Sequence, residues 1–215
     1  LSPDIIGSTG SFITFEGVEG AGKSSRCTAL IEALENQGIS AVHTREPGGP
    51  PAAERVREVL LDPDLEVTPL TELMLYLASR AANVDLVIRP SLEEGTPVIC
   101  ERYSDATLAY QVGGRGLPID HVLEANTLAT GGLVPDLTIL IDLDPEDGFR
   151  RLTRQGRSRD RIEQEDLDFH RRVRDMYLML ASEDSRFLVI DGSLPPGEQD
   201  GLIITAVIDL LGRET

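Results

Sequence analysis

The sequence predicts an α/β fold, a five-stranded parallel sheet with helices on both faces. Three observations predict it. Short β-rich apolar runs alternate with segments of helical period along the chain, the signature of parallel strands joined by helical crossovers. Those runs are nearly continuous in hydrophobicity rather than alternating, as burial on both faces of a sheet requires. The 215 residues also contain no internal repeat, low-complexity tract or linker, so a single domain over 12–215 accommodates them.

"SFITFEG" (11–17) reads as the first strand. Apolar residues then recur at Cys27, Leu30, Ile31 and Leu34 in a helix from Ser24 to Gln37, which Gly38 stops. "ISAVHTRE" (39–46) is the second strand and "PGGPP" (47–51) a rigid loop. Helical patterns follow at about 52–61 and 69–94, with Gly95 as terminator. "PVICER" (97–102), "DLTILIDL" (136–143) and "RFLVIDG" (186–192) supply strands three to five, with helical segments between them. Residues 1–11 carry neither a basic start nor a long apolar stretch, and read as a loose tail rather than a secretory signal.

The composition excludes several function classes. A net charge of −17 argues against binding to DNA, RNA or an anionic lipid surface, although a local arginine cluster can still dominate a pocket. No apolar run approaches the roughly 20 residues of a membrane span. Cys27 and Cys100 each sit inside an apolar element and read as buried free thiols, which fits a cytoplasmic location. His43, His121 and His170 are scattered and there is no C-x-x-C pair, so no structural zinc site is expected.

The chain has one lysine against nineteen arginines, and that lysine lies in "GVEGAGKSS" (17–25). Gly17-x4-Gly22-Lys23-Ser24 satisfies the phosphate-binding pattern G-x-x-x-x-G-K-[ST] between a strand and a helix. Backbone amides freed by the glycines converge on phosphate oxygens, and the helix N-terminus adds partial positive charge. A compact ammonium on a flexible stem fits that cradle better than the wide guanidinium fork, which explains why arginine has not replaced lysine here. Gly17, Val18, Glu19, Gly20, Ala21, Gly22, Lys23, Ser24 and Ser25 are the expected nucleotide cradle, with Ser24 a ligand for Mg2+. The guanine-reading N-K-x-D motif cannot occur, because it needs a second lysine.

Three further segments follow strands two, three and four: "TREPGGP" (44–50), "ERYSDATLAYQ" (101–111) and "RLTRQGRSRDRIE" (151–163). Arg102, at the end of strand three, lies at the carboxyl ends of the strands, where ligands of open α/β sheets bind and where Lys23 also lies. Arg154, Arg157, Arg159 and Arg161 cluster in a turn interrupted by Gly156 and Ser158, which suits a lid over phosphates at about 151–161. Arg150 and Arg151 read equally as charged helix surface.

With these motifs in this order, from about Phe12 to Ser193, the chain resembles the bacterial thymidylate kinases, which transfer the γ-phosphoryl group of ATP to dTMP. The resemblance implies a P-loop NTPase fold with an arginine-rich lid, Mg2+ with ATP, and a homodimer. It places Glu16, Arg45 and Pro47 near the dTMP sugar and phosphate, Tyr76 against thymine, and Arg80 on a thymine carbonyl. Arg102 would grip the acceptor phosphate, Thr107 and Gln111 would lie near the base, and Tyr110 would disfavour a ribose 2′-hydroxyl. Glu101 would hold Mg2+ through water or orient Arg102. With Glu19 and no arginine in the P-loop, the catalytic arginine would come from the lid, among Arg154, Arg157 and Arg159. Glu101 stands where the family usually has Asp, Asn83 where many members have His, and Ala106 where Ser is usual. A kinase for another pyrimidine monophosphate or a nucleoside, or an ATPase acting on a protein partner, are the alternative readings.

Overall fold

The computed structural model describes residues 10–154 and 159–212. Five strands, β1 (Phe12–Glu16), β2 (Val42–Arg45), β3 (Val98–Glu101), β4 (Leu137–Asp142) and β5 (Phe187–Asp191), form one sheet in the order β2-β3-β1-β4-β5. Every neighbouring pair is parallel. β1 is buried along its whole length, while the edge strands β2 and β5 are partly exposed. That gradient is why β1 is all but devoid of charge until Glu16, whereas β2 tolerates His43 and Arg45.

Nine helices accompany the sheet among the described residues: α1 (Lys23–Glu35), α2 (Pro51–Leu61), α3 (Pro69–Asn83), α4 (Arg89–Glu93), α5 (Ser104–Thr107), α6 (Ile119–Thr130), α7 (Pro145–Arg154), α8 (Leu167–Glu183) and α9 (Pro196–Leu211). The single helix read at 69–94 is α3 and α4 joined through a π-helical turn, Val84–Ile88, and a second such turn, Leu108–Gly114, extends α5. Thr68 caps α3 and Asp166 caps α8, each side chain accepting from a backbone N–H in the first turn.

Side-chain alternation divides the strands between two faces. Ile13, Phe15 and Ile99 pack with Cys27, Leu30 and Leu34 of α1 and Ile203 and Val207 of α9. Phe12, Val98 and Cys100 point the other way, against Val84, Ile88 and Leu92. Both cysteines are buried free thiols, as expected. Among the described residues no helix is long and apolar enough to cross a membrane.

Candidate active site

The P-loop leaves β1 at Gly17 and enters α1 through Gly22 in a left-handed conformation (φ 99°). Two of its glycines are sterically required. A Cβ on Gly17 would lie 2.5 Å from the carbonyl oxygen of Ile141, and one on Gly20 would lie 2.3 Å from that of Gly148. The second contact sets the loop directly against α7. Lys23 Nζ donates to the carbonyls of Gly17 (3.0 Å) and Val18 (2.9 Å), so the ammonium lies folded along the loop. Burial and the neighbouring Arg102 charge push Lys23 down to about 8. An anion beside it would raise it again.

Ser24 Oγ donates to Glu101 Oε2 at 2.6 Å, and the other carboxylate oxygen takes a 3.0 Å hydrogen bond with His43 Nε2. A hydroxyl and a carboxylate at the head of a phosphate loop are hard oxygen donors of the kind Mg2+ takes, so these residues fit the expected ion.

Next to the loop lies a pocket with a cavity of about 90 Å³. Pro47, Tyr76, Arg80, Arg102, Thr107, Tyr110 and Gln111 line it, seven of the positions expected to contact dTMP. Two expected positions do not. Glu16 is fully buried behind the pocket, accepting from Tyr103 N (2.7 Å) and the Tyr177 hydroxyl (2.7 Å). Arg45 points to solvent and pairs with Glu54 at 3.2 Å. Glu19, grouped with the phosphate cradle, faces this pocket instead: it pairs with Arg102 (2.8 Å) and accepts from the Tyr110 hydroxyl (2.7 Å). Its burial opposes ionisation, yet Arg102 and Lys23 hold its carboxyl down to about 2.

Arg102 adopts φ 64°, left-handed for a residue with a Cβ, which costs on the order of 1–3 kcal/mol and recurs at functional sites. Its backbone N–H donates to Phe15 O (2.9 Å), and the next amide donates to Glu16. The strained turn is thereby clamped to the end of β1. Burial, and after it the nearby Asp105 charge, raises the Glu16 carboxyl to about 7 despite Arg102 close by.

Arg80 is 1% exposed and heavily committed. Nε pairs with Glu46 (2.7 Å), Nη1 donates to Thr107 (2.6 Å) and Asn126 (2.7 Å), and Nη2 donates to Tyr103 O (2.8 Å). One of its five N–H groups is left over among these bonds. Asn83 bonds Thr44 and Glu46, and so fastens the "TREPGG" loop to α3. The Gln111 amide donates to Glu72 (2.7 Å), while its carbonyl oxygen is buried with no partner among the described residues.

α7 carries the arginine-rich segment. Arg154 and Arg159 line a groove with Phe149 and Thr153, and Arg159 stacks over the Phe149 ring at 4.6 Å. Arg150 pairs with Asp147, and Arg151 donates to Gly192 O, tying α7 to the end of β5. Arg157 lies outside the described residues. Arg161, expected over the ATP phosphates, donates to Leu60 O and pairs with Glu72 of α3. Its neighbour Glu72 already holds Arg115, and a fully buried carboxylate gathers cations.

Sequence reasoning missed Arg57 and Asp160, which also line the pocket. Arg57 donates to Pro47 O at 2.8 Å, and nothing in its spacing distinguishes it from Arg55, the other arginine of α2.

A glycine-cradled ammonium and a partly buried guanidinium thus meet at the Gly17 carbonyl, at the carboxyl end of a parallel sheet, and that places the chain among the P-loop phosphotransferases. The family model described as thymidylate kinase matches residues 15–201. A thymidylate kinase of Deinococcus radiodurans is 51% identical over 93% of this chain and 97% of its own length. One of Pelobacter propionicus is 47% identical over 93% and 94%, and one of Pelotomaculum thermopropionicum 48% over 86% of both. The chain belongs to the thymidylate kinase family.

Proposed function

We infer that this chain transfers the γ-phosphoryl group of ATP to dTMP, giving dTDP. The observation that carries the reading is the pocket beside the P-loop, in which the Arg102 guanidinium, the Tyr76 ring and an unmatched polar pair converge. The spare N–H of Arg80 and the unpartnered carbonyl of Gln111 offer one donor and one acceptor. That pair complements the carbonyl and N3–H of a thymine edge, whereas cytosine presents the reverse. Tyr76 supplies a flat apolar wall on the helix that carries Arg80.

The dTMP phosphate would replace the Glu19 carboxylate on Arg102, and the β- and γ-phosphates would replace the carbonyls on Lys23. A phosphomonoester, with its second pKa near 6, is mostly dianionic at neutral pH, so no general base is needed. The residues then act by alignment and charge stabilisation. Arg154, with Arg157 and Arg159, is the candidate for stabilising the charge on the transferred group. Mg2+ held through Ser24 and Glu101 would supply charge neutralisation at the phosphates when bound. In support of a homodimer stand the exposed apolar side chains Leu70 and Met74 on α3 and Ile119, Leu123 and Leu128 on α6.

The test is a coupled ADP-release assay with dTMP, dUMP, dCMP, AMP and GMP. dTMP should give the highest kcat/KM, and no stimulation by dTMP would end the reading.

A further inference from the structure

The face of the sheet that carries α1 holds a cluster of which the phosphotransfer reading uses only Glu101. Parallel pairing sets His43 of β2 beside Ile99 of β3, so His43 and Glu101, two residues further along β3, project from the same face. Cys27 stands one helical turn beyond Ser24 on α1, the helix lying over that face. One ligand atom from each of Cys27, His43 and Glu101 lies within 4.8 Å of the other two. Cys27 forms the buried floor, while His43 (37% exposed) gives access from solvent.

We propose that Cys27, His43 and Glu101 form a binding site for a soft divalent cation, with Zn2+ the reference ion, whose occupancy draws Glu101 away from Ser24 and slows the transferase. Thiolate, imidazole and carboxylate are the three ligand types zinc accepts, and three protein ligands leave the fourth position to water. Tetrahedral bonds of about 2.0–2.3 Å bring ligand atoms to roughly 3.3–3.8 Å of each other. Loading therefore means that the His43–Glu101 hydrogen bond opens and the Cys27 side chain closes in by about 1 Å. The cation displaces the thiol proton of Cys27, while the neutral His43 ring binds through Nε2 with its single proton on Nδ1, so the ring gives up its hydrogen bond to Glu101 and loses no proton. A hard ion such as Mg2+ gains little from sulfur and imidazole, so the site discriminates by softness. The binding half stands on this geometry alone; the slowing half rests on the proposed phosphotransfer and on the place of Glu101 in it.

The experiment uses the full, tag-free chain. Zn2+ alone is titrated against a chromophoric zinc chelator, and Co2+ serves as an optical reporter of sulfur ligation. The site predicts one equivalent per chain and a thiolate-to-cobalt charge-transfer band. Both should persist in Cys100→Ala, whose thiol is on the opposite face, while affinity should fall at least tenfold in Cys27→Ala and His43→Asn. No stoichiometric binding, or binding indifferent to both substitutions, overturns the site. His43→Asn, on a partly exposed edge strand, keeps the test decisive should Cys27→Ala fail to fold. One equivalent of Zn2+ should also lower turnover of the wild type at least tenfold more than that of His43→Asn. Full turnover with the site loaded would overturn the slowing half, whereas absence of any dTMP kinase activity would sink the phosphotransfer reading and leave the titration to judge the site.

Discussion

Replacing Arg80 with Met removes a guanidinium that is 1% exposed and leaves the Glu46 carboxylate, 4% exposed, without its cation. Breaking one side of a buried pair costs about 3–5 kcal/mol. Thr107, Asn126 and the Tyr103 carbonyl lose a donor as well, so that figure is nearer a lower bound. For a chain of this size about 2–4 °C of Tm accompanies each kcal/mol, which gives a fall of about 6–20 °C. Thermal melting at neutral pH measures it. The cause can be isolated with the double variant Arg80→Met/Glu46→Gln, which buries no lone charge and should recover at least about 1 kcal/mol of the loss. Burial already raises the Glu46 carboxyl against the pull of Arg80, so neutralising it is the natural relief. A Tm for Arg80→Met within about 2 °C of wild type would refute the reasoning. So would a double variant no more stable than the single one, since the charge left behind would then not be the source of the cost.

Lys23→Ala should lower turnover by about 10²–10³-fold or more while melting near the wild-type temperature, because the ammonium's hydrogen bonds among the described residues go to loop carbonyls; a near-normal rate would contradict the cradle. Arg154→Ala should reduce kcat more than it raises the KM for dTMP, and the reverse pattern in steady-state kinetics would move Arg154 out of the lid role. Glu16 gives a pH prediction. Its folded value of about 7 lies above its ordinary 4.5, so between those values the folded chain keeps a proton the unfolded chain has lost, and stability falls as pH rises through that window. Glu16→Gln should remove this fall, on the order of a few kcal/mol by denaturant unfolding at pH 5 and 7.5, and equal slopes for the two proteins would reject it.

How much of this was legible in the sequence depends on the range of the interaction concerned. The strands were, because burial on both faces leaves an apolar run, and each observed strand falls within its expected segment. The edge strand β2 was read too long, since "ISA" extends the apolar pattern but pairing begins only at Val42. The cradle was legible because Gly17 and Lys23 are six positions apart and the glycines answer to local backbone geometry. Arg80 lines the pocket, yet its four bonds reach residues 23 to 46 positions away and leave no local mark. The same holds for Glu19, whose turn towards Arg102 and Tyr110 joins residues more than 80 positions apart, and for Arg161, which Glu72 claims from another helix. In an acidic chain rich in arginine, the ion pairs sort the arginines, and only the fold decides which carboxylate each one meets.

The most direct measurement is a crystal structure with dTMP and an unreactive ATP analogue. The account predicts the dTMP phosphate on the Arg102 guanidinium, with the Glu19 pair opened, and the terminal phosphates of the analogue on Lys23 Nζ. A dTMP molecule bound away from Arg102, or with its phosphate turned from the P-loop, would contradict it.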